Sequence, residues 1–227
     1  SLYFALINRN KKSISLDLKQ RSAIEKLNEL VRSADILVEN FRPGVTKRLG
    51  VDFETMHEIN PRLIYLSISG FGQDGPLAGK PALDTVVQAM SGIMATTGTQ
   101  DADPTRVGES VADIITGIYG AWALSTALYS RSVNNEGLYL DLAMFDALFT
   151  SQVTNLSQLI ATNSAPGRIG NRHPASAPFD SFTASDGQVI IAAATKTMFD
   201  QLCILMEQPD LCNDTRFLTE TSRIQFE

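Results

Sequence analysis

The chain has 227 residues, of which 44% are hydrophobic, and a formal net charge of −6 at pH 7. This size and composition allow one large domain, or one domain with a piece of another, around a sizeable core. The 19 lysines and arginines are spread along the chain and form no basic block, so we expect no nucleic-acid partner.

The first half of the chain predicts alternating strands and helices. A period-2 alternation predicts a strand over 13–18, and apolar residues at helical spacing predict a helix around 24–31. Further strands are predicted over 35–39 and 63–68, with a short helix over 53–59 between them. This order favours a parallel sheet with right-handed crossovers.

The second half predicts mostly helices, over roughly 84–94, 110–130 and 141–162. A polar loop over 166–178 leads to two strands, 179–183 and 188–193, joined by the turn Ser185-Asp186-Gly187. A last helix is predicted over 197–206. The early sheet is small and the last residues are polar, so we expect the fold to continue beyond both ends of these residues.

Several familiar site types find little support. No apolar run looks long enough to span a bilayer, and the first residues lack the charged region and cleavage site of a secretory signal. Cys203 and Cys212 are the two cysteines and His57 and His173 the two histidines, and their spacing fits neither a disulfide framework nor a metal site. We expect no metal, no membrane and a cytoplasmic location, with a mitochondrial or peroxisomal location left open.

Gly70-Phe71-Gly72-Gln73-Asp74-Gly75 is a G-x-G-x-x-G sequence directly after a predicted strand. In a dinucleotide-binding fold, a helix would start here and its amide groups would bind a pyrophosphate. Pro76, Gly79 and Pro81 break any such helix. The pattern therefore favours a glycine-rich loop, which could serve as an active-site lid.

Asp113 stands near the start of a predicted helix whose apolar stripe is Val111, Ile114, Ile115, Ile118 and Trp122. At about 100° per residue, Asp113 lies nearly opposite that stripe, on the face of Gly117 and Gly120. A plain surface aspartate near a helix start is the common interpretation. The glycines favour another one: each lowers helix stability by up to about 1 kcal/mol, so they indicate close approach by another chain or a ligand. A carboxylate beside such a gap could attack a thioester.

Two groups of basic residues lie near predicted strand ends, where parallel sheets bind ligands. One group is Lys11, Lys12 and Lys19, and the other is Arg42, Lys47 and Arg48. They could be ordinary surface residues or bind a ligand with several phosphates.

Several segments together resemble the family III CoA-transferases, the carnitine dehydratase and bile-acid-inducible group. The resemblance covers essentially the whole chain and rests on the order and spacing of Asn10–Ile14, Leu16–Lys19, Ala34–Gly44, Arg48–Gly50, Asn60–Tyr65, Ser69–Gly72, Gln88–Gly92, Thr97-Gly98, Asp113–Gly117, Asp141–Met144 and Ala177–Phe179. The resemblance implies an α/β fold with a large Rossmann-like domain, here residues 1–165 without its N-terminal part, and the start of a small α+β domain, here 166–227. It also implies a homodimer of two interlocked chains.

The family resemblance implies that Asp113 is the catalytic nucleophile. In that family the aspartate attacks an acyl-CoA thioester, and an aspartyl-CoA thioester then passes CoA to a carboxylic acid. The implied CoA contacts are Leu16, Asp17, Leu18, Lys19, Asn40, Phe41, Arg42 and Arg48. CoA and acyl-CoA are thus substrates, with no permanently bound cofactor. Arg106, Arg172 and His173 could pair with a second carboxylate, which would favour a dicarboxylic acid.

Other functions remain open. The 2-methylacyl-CoA racemases share the fold and place a histidine where this chain has Leu83, and a later glutamate near Lys196, so the second proton-transfer group is missing here. A catalytically silent CoA-binding homologue is a further alternative, against which Asp113 argues. A dinucleotide-dependent oxidoreductase would rest on Gly70–Gly75 alone.

Overall fold

The computed structural model describes residues 1–226. Its helices and strands follow in chain order: α1 Leu2–Ile7, α2 Arg21–Val31, β1 Ile36–Glu39, α3 Val45–Leu49, α4 Phe53–Ile59, β2 Ile64–Ser69, α5 Asp84–Met90, α6 Ile93–Thr96, α7 Val111–Asn134, β3 Tyr139–Ala143, α8 Met144–Ser151, α9 Val153–Thr162, β4 Phe179–Thr183, β5 Gln188–Ala192, α10 Lys196–Leu205 and α11 Glu220–Phe226. A short 3-10 helix, Pro209–Asn213, lies between α10 and α11. The fold is mixed α/β, as the sequence predicts.

The chain forms two compact units. The first contains residues 1–87 and 111–148, and the second contains 88–110 and the chain from 149 onward. These bounds differ from the predicted domains 1–165 and 166–227, which refer to the whole protein and stay a prediction.

The first unit is built on a three-stranded parallel sheet in the order β1-β2-β3. The predicted strand over 13–18 does not form, and its residues are mostly exposed. The third strand is Tyr139–Ala143, whose last three residues fall within the helix predicted over 141–162. The alternation of apolar and polar residues shows which side chains would share a face of a strand. A strand also needs a neighbouring strand with free backbone hydrogen-bonding groups, and the local sequence does not show whether one is present.

Helices cover both faces of the central strand β2. On one face, Tyr65 packs with Val31 of α2, Met56 of α4 and other buried side chains. On the opposite face, α7 contacts β2 and β3, and a Cβ atom at Gly120 would lie 3.3 Å from Leu66. Successive residues of a strand point to opposite faces, which explains why β2 is apolar without interruption from Ile64 to Leu66.

Helix α7 buries a face of small residues instead of the apolar stripe that the sequence suggests. The small buried residues are Ala112, Thr116, Gly120 and Ala127, and Arg131 is buried near the end of the helix. From the stripe, Ile114, Ile118 and Trp122 are 50 to 67% exposed. Small residues let a helix lie close to a sheet, so packing at this position selects them over larger apolar side chains.

By length and composition, α7 is the one helix within residues 1–226 that could cross a membrane, contrary to the expectation from sequence. This is weak support for a membrane span, because a core helix of a soluble protein can have the same length and apolar composition. In this structure α7 packs against β2 and β3 and buries the charged side chain of Arg131.

The second unit contains the antiparallel pair β4–β5 and the helices that follow it. Arg223 of α11 is buried in this unit, with 3% of its surface exposed. Its guanidinium group donates hydrogen bonds to the carbonyl oxygens of Ala177 and Ala194, each at 2.7 Å, and stacks over the Phe199 ring. These contacts connect α11 to both strands' flanking segments and to α10.

Candidate active site

A cavity of about 500 Å³ opens in the first unit, next to the carboxyl ends of the parallel strands. This edge is where open α/β sheets bind their ligands. The cavity is lined by Asn40, Phe41, Arg42, Pro43, Ser69, Gly70, Lys80, Pro81, Ala82, Leu83, Asp84, Asp113 and Met144. Four of the residues singled out from the sequence, Asn40, Phe41, Arg42 and Asp113, therefore share one space.

Asp113 lies in the first turn of α7 and is exposed. Although the residue is exposed overall, its carboxyl group is partly shielded from water, and this raises its pKa above the usual value. The negative charge of Asp84 raises the pKa further. Both causes disfavour the ionised form, so the carboxylate is more basic than a free aspartate. A more basic carboxylate is a better nucleophile and a better proton acceptor.

The segment after β1 is held to the sheet by hydrogen bonds on either side. The Glu39 carboxylate is 7% exposed and accepts the backbone N–H of Phe41 at 2.7 Å. The side-chain amide of Asn40 donates to the carbonyl oxygen of Ile68 at 2.7 Å. These bonds fix Asn40, Phe41 and Arg42 at the cavity, while the Arg42 side chain stays exposed.

The other residues expected to contact CoA do not line this cavity. Arg48 lies in α3, with its guanidinium group 3.5 Å from where a Cβ of Gly44 would be. The segment Leu16–Lys19 forms a turn in which Asp17 accepts the backbone N–H of Lys19 at 3.1 Å. The roles of Arg48 and Leu16–Lys19 in CoA binding stay predictions.

The glycine-rich segment after β2 forms turns and no helix, as its prolines predict. Gln73 ties it to the sheet: its backbone N–H donates to Asp141 and its side chain to Ser67, each at 2.8 Å. Gly70 allows a close approach of the returning chain, because a Cβ atom there would lie 2.2 Å from Cβ of Ala82. The dinucleotide alternative therefore lacks its helix, and lid closure stays a prediction.

Two ionisable groups at the cavity received no role from the sequence. Lys80 lies in the loop before α5, and Asp84 is the first residue of α5. Leu83, where the racemases have a histidine, is 76% exposed and offers no group for proton transfer. Asp84 could have been noticed as an acidic residue at a helix start, but its relation to Asp113 is a tertiary contact.

In the second unit, Arg172 and His173 line one cavity of about 690 Å³, and Arg106 does not. The Arg172 guanidinium donates to the carbonyl oxygen of Ile224, and the His173 ring stacks on Phe179 at 4.9 Å. Arg106 donates to the carbonyl oxygens of Val107 and Gly108. Of the three residues, only Arg172 and His173 therefore share a cavity.

Within residues 1–226, no three His, Cys, Asp or Glu side chains form a cluster that could hold a metal ion.

Comparison with known proteins gives one consistent match. The model of a family described as CoA-transferase family III matches residues 1–227. An acetyl-CoA:oxalate CoA-transferase from Acetobacter aceti is 48% identical over 99% of this chain and 58% of its own length. A succinyl-CoA:mesaconate CoA-transferase from Haloarcula hispanica is 39% identical over 93% of this chain and 54% of its own length.

Solved structures of related proteins share this fold. A crystal structure of a CAIB/BAIF family protein from Brucella suis superimposes with a TM-score of 0.87 at 37% identity, over all of this chain and 60% of that one. The chain therefore spans a little over half the length of the proteins it matches.

Proposed function

The chain belongs to CoA-transferase family III, and on that premise we propose that the whole protein moves coenzyme A from an acyl-CoA donor to a carboxylic acid acceptor. The observation that carries this proposal is the shared cavity, which Asp113 lines together with Asn40, Phe41 and Arg42. The relatives described above carry out reactions of this class by name.

The chemistry divides into balanced steps with Asp113 as nucleophile. A carboxylate oxygen of Asp113 attacks the thioester carbonyl, the C–S bond breaks, and a mixed anhydride and CoA thiolate result. The thiolate attacks the aspartyl carbonyl, which releases the donor acid as its carboxylate and leaves an aspartyl-CoA thioester. The acceptor carboxylate then displaces the thiolate, and attack of the thiolate on the acceptor's carbonyl gives the new acyl-CoA and restores Asp113.

Arg42 and Lys80 supply positive charge at the same cavity. A cationic side chain there favours the phosphates of CoA and offsets negative charge that develops on the carbonyl oxygen during attack. Arg48 and Leu16–Lys19 belong to this proposal as further CoA contacts, and their support is the family resemblance alone.

A dicarboxylic acid is the acceptor class that we favour. Two observations support it: the relatives named above act on oxalate and mesaconate, and Arg172 and His173 share a cavity of the second unit. In an Arg172→Ala variant, we expect the transfer rate to succinate to fall while CoA affinity stays unchanged. Arg106→Ala is the matched control, and an unaffected rate in Arg172→Ala would count against this role.

A homodimer is the assembly that we propose for the whole protein. Its support is an exposed apolar face on α7, made of Ile114, Ile118, Trp122, Tyr129 and Val133, each 50 to 75% exposed. We name this surface the α7 apolar face. A monomer seldom leaves so many large apolar side chains of one helix in water. A cytoplasmic location stays a prediction.

The decisive experiment treats the whole protein with a panel of acyl-CoA donors and then hydroxylamine, and searches for a hydroxamate by mass spectrometry. We expect an acyl-CoA-dependent adduct at Asp113 and none in Asp113→Asn. Exchange of the α-proton in deuterated water without any adduct would favour the racemase alternative. CoA binding with neither signal would favour a silent homologue.

A further inference from the structure

Asp84 contacts the start of the helix that carries Asp113. One oxygen of its carboxylate accepts the backbone N–H of Ala112 at 2.8 Å and that of Asp113 at 3.4 Å. The first amide groups of a helix have no partner within the helix, so a side chain from elsewhere must satisfy them. Asp84 does so from another element, 28 residues earlier in the chain than Ala112.

The position of Asp84 is set by the packing of its own segment. Because Gly70 has no side chain, Ala82 can approach the end of β2 closely. Three residues after Asp84, Val87 is fully buried, and its backbone N–H donates to Leu83 at 3.0 Å. The backbone segment that carries Asp84 is therefore held against the sheet edge and within the first turn of α5.

This arrangement affects what the Asp113 carboxylate can bind. The N-terminal amide groups of a helix stabilise a nearby anion and lower its reactivity as a nucleophile. Here Asp84 accepts the amide groups of Ala112 and Asp113, so these are not available to the Asp113 carboxylate. The charged groups that line the cavity around Asp113 are Asp84, Lys80 and Arg42.

We propose that Asp84 is a positioning residue for Asp113. It holds the first turn of α7 in place, and it accepts hydrogen bonds from amide groups that would otherwise stabilise the Asp113 carboxylate and lower its nucleophilicity. The proposal rests on the proposed function, because it takes Asp113 as the reacting carboxylate.

The test compares two variants of the whole protein, Asp84→Asn and Asp84→Ala. Asparagine keeps an oxygen that can accept the amide hydrogen bonds and removes the charge, whereas alanine removes both. The readouts are the single-turnover rate of hydroxylamine trapping at Asp113 across pH and the affinity for free CoA. Asp52→Ala is the matched control, since Asp52 caps α4 at Thr55 in the same unit and does not line the cavity.

We expect Asp84→Ala to trap on the order of 10- to 100-fold more slowly than the unmodified protein, because small misplacements of a reacting group have effects of this size. Asp84→Asn should recover most of that loss. In both variants the acid limb of the rate profile should move to lower pH, and CoA affinity should be unchanged.

A trapping rate and pH profile in Asp84→Ala equal to those of the unmodified protein would overturn the proposal. It would also be overturned if Asp52→Ala slowed trapping as much as Asp84→Ala, since a general loss of stability would then explain both. Absence of any adduct in the unmodified protein would instead refute the proposed function. If Asp84→Ala does not fold, Asp84→Asn decides through its pH profile: an acid limb unchanged from that of the unmodified protein would overturn the proposal.

Discussion

Glu39 accepts the backbone N–H of Phe41 at 2.7 Å, and this bond joins the end of β1 to the segment that lines the cavity. The other carboxylate oxygen accepts the hydroxyl hydrogen of Ser67, whose oxygen accepts the side-chain amide of Gln73 at 2.8 Å. A chain of three side chains thus connects the segment after β1 to the glycine-rich segment after β2. Buried polar groups linked in this way fix local geometry.

Replacing Glu39 by alanine should weaken CoA binding to the whole protein. The Phe41 N–H would lose its acceptor, and Phe41 and Arg42 would no longer be held at the cavity. We expect an increase in the dissociation constant of about tenfold, which corresponds to about 1.4 kcal/mol. Calorimetry with free CoA measures the dissociation constant. The control is Glu29→Ala, on the exposed side of α2. Unchanged affinity in Glu39→Ala would contradict the role of Glu39 in holding Phe41 and Arg42 at the cavity.

The two glycines of α7 should respond in opposite ways to substitution. A Cβ atom at Gly117 meets nothing within 4 Å, so Gly117→Ala should stabilise the helix by up to about 1 kcal/mol. A Cβ atom at Gly120 would lie 3.3 Å from the Leu66 side chain and 3.5 Å from that of Leu142. Gly120→Leu should therefore destabilise the protein by about 1–3 kcal/mol through overpacking.

Thermal unfolding of the two glycine variants measures this difference. A lower unfolding temperature for Gly117→Ala would mean that another chain or a ligand covers that position in the whole protein.

Removal of the Arg131 side chain should strongly destabilise the first unit. Arg131 is 8% exposed, donates to the carboxylate of Asp35 at 2.7 Å, and donates to the carbonyl oxygens of Asp35 and Arg62 at 3.1 Å. Arg131→Met leaves the carbonyl oxygen of Arg62 without this donor, whereas the Asp35 carbonyl keeps the N–H of Ile64 and the exposed Asp35 carboxylate is solvated, so we expect a loss of about 1–3 kcal/mol. Urea unfolding tests this, with Arg32→Met as an exposed control; equal midpoints for the two variants would contradict it.

Asp113→Asn should remove activity and increase stability at neutral pH. A raised pKa means that the folded protein favours the protonated carboxyl group of Asp113. The stabilisation of the folded state by this group is therefore complete below the ordinary pKa of 3.8 and is lost as the pH rises through the pKa of the folded state. Above that value the ionised group lowers stability, and asparagine removes this effect. Unfolding temperatures should therefore differ at pH 7 and converge near pH 3, with exposed Asp101→Asn as control. A variant less stable than the unmodified protein at pH 7 would contradict this prediction.

Negative charge on the α7 apolar face should separate the proposed homodimer. We expect the double variant Ile118→Glu, Trp122→Glu to sediment as a monomer at concentrations where the unmodified whole protein is a dimer, because the charges would be buried without partners. Leu30→Glu places the same charge on a half-exposed apolar residue of α2 and should leave the dimer intact. A dimeric double variant would exclude this face as the interface.

The sequence by itself determined the α/β class, the helix over Phe53–Ile59, the strand pair Phe179–Thr183 and Gln188–Ala192, and membership of the family. These follow from local periodicity and from motifs read in order along the chain. Asp113 was singled out in the same way; it lines one cavity with Asn40, Phe41 and Arg42, and its catalytic role stays a prediction.

Only the tertiary structure decided which segments pair and which faces are covered. Tyr139–Ala143 became the third strand in place of 13–18, α7 turned its small residues toward the sheet, and Asp84 reached the first turn of α7. Each of these depends on contacts between residues far apart in the chain, whose free energies are set by the shape of the neighbouring element and leave no trace in a local pattern.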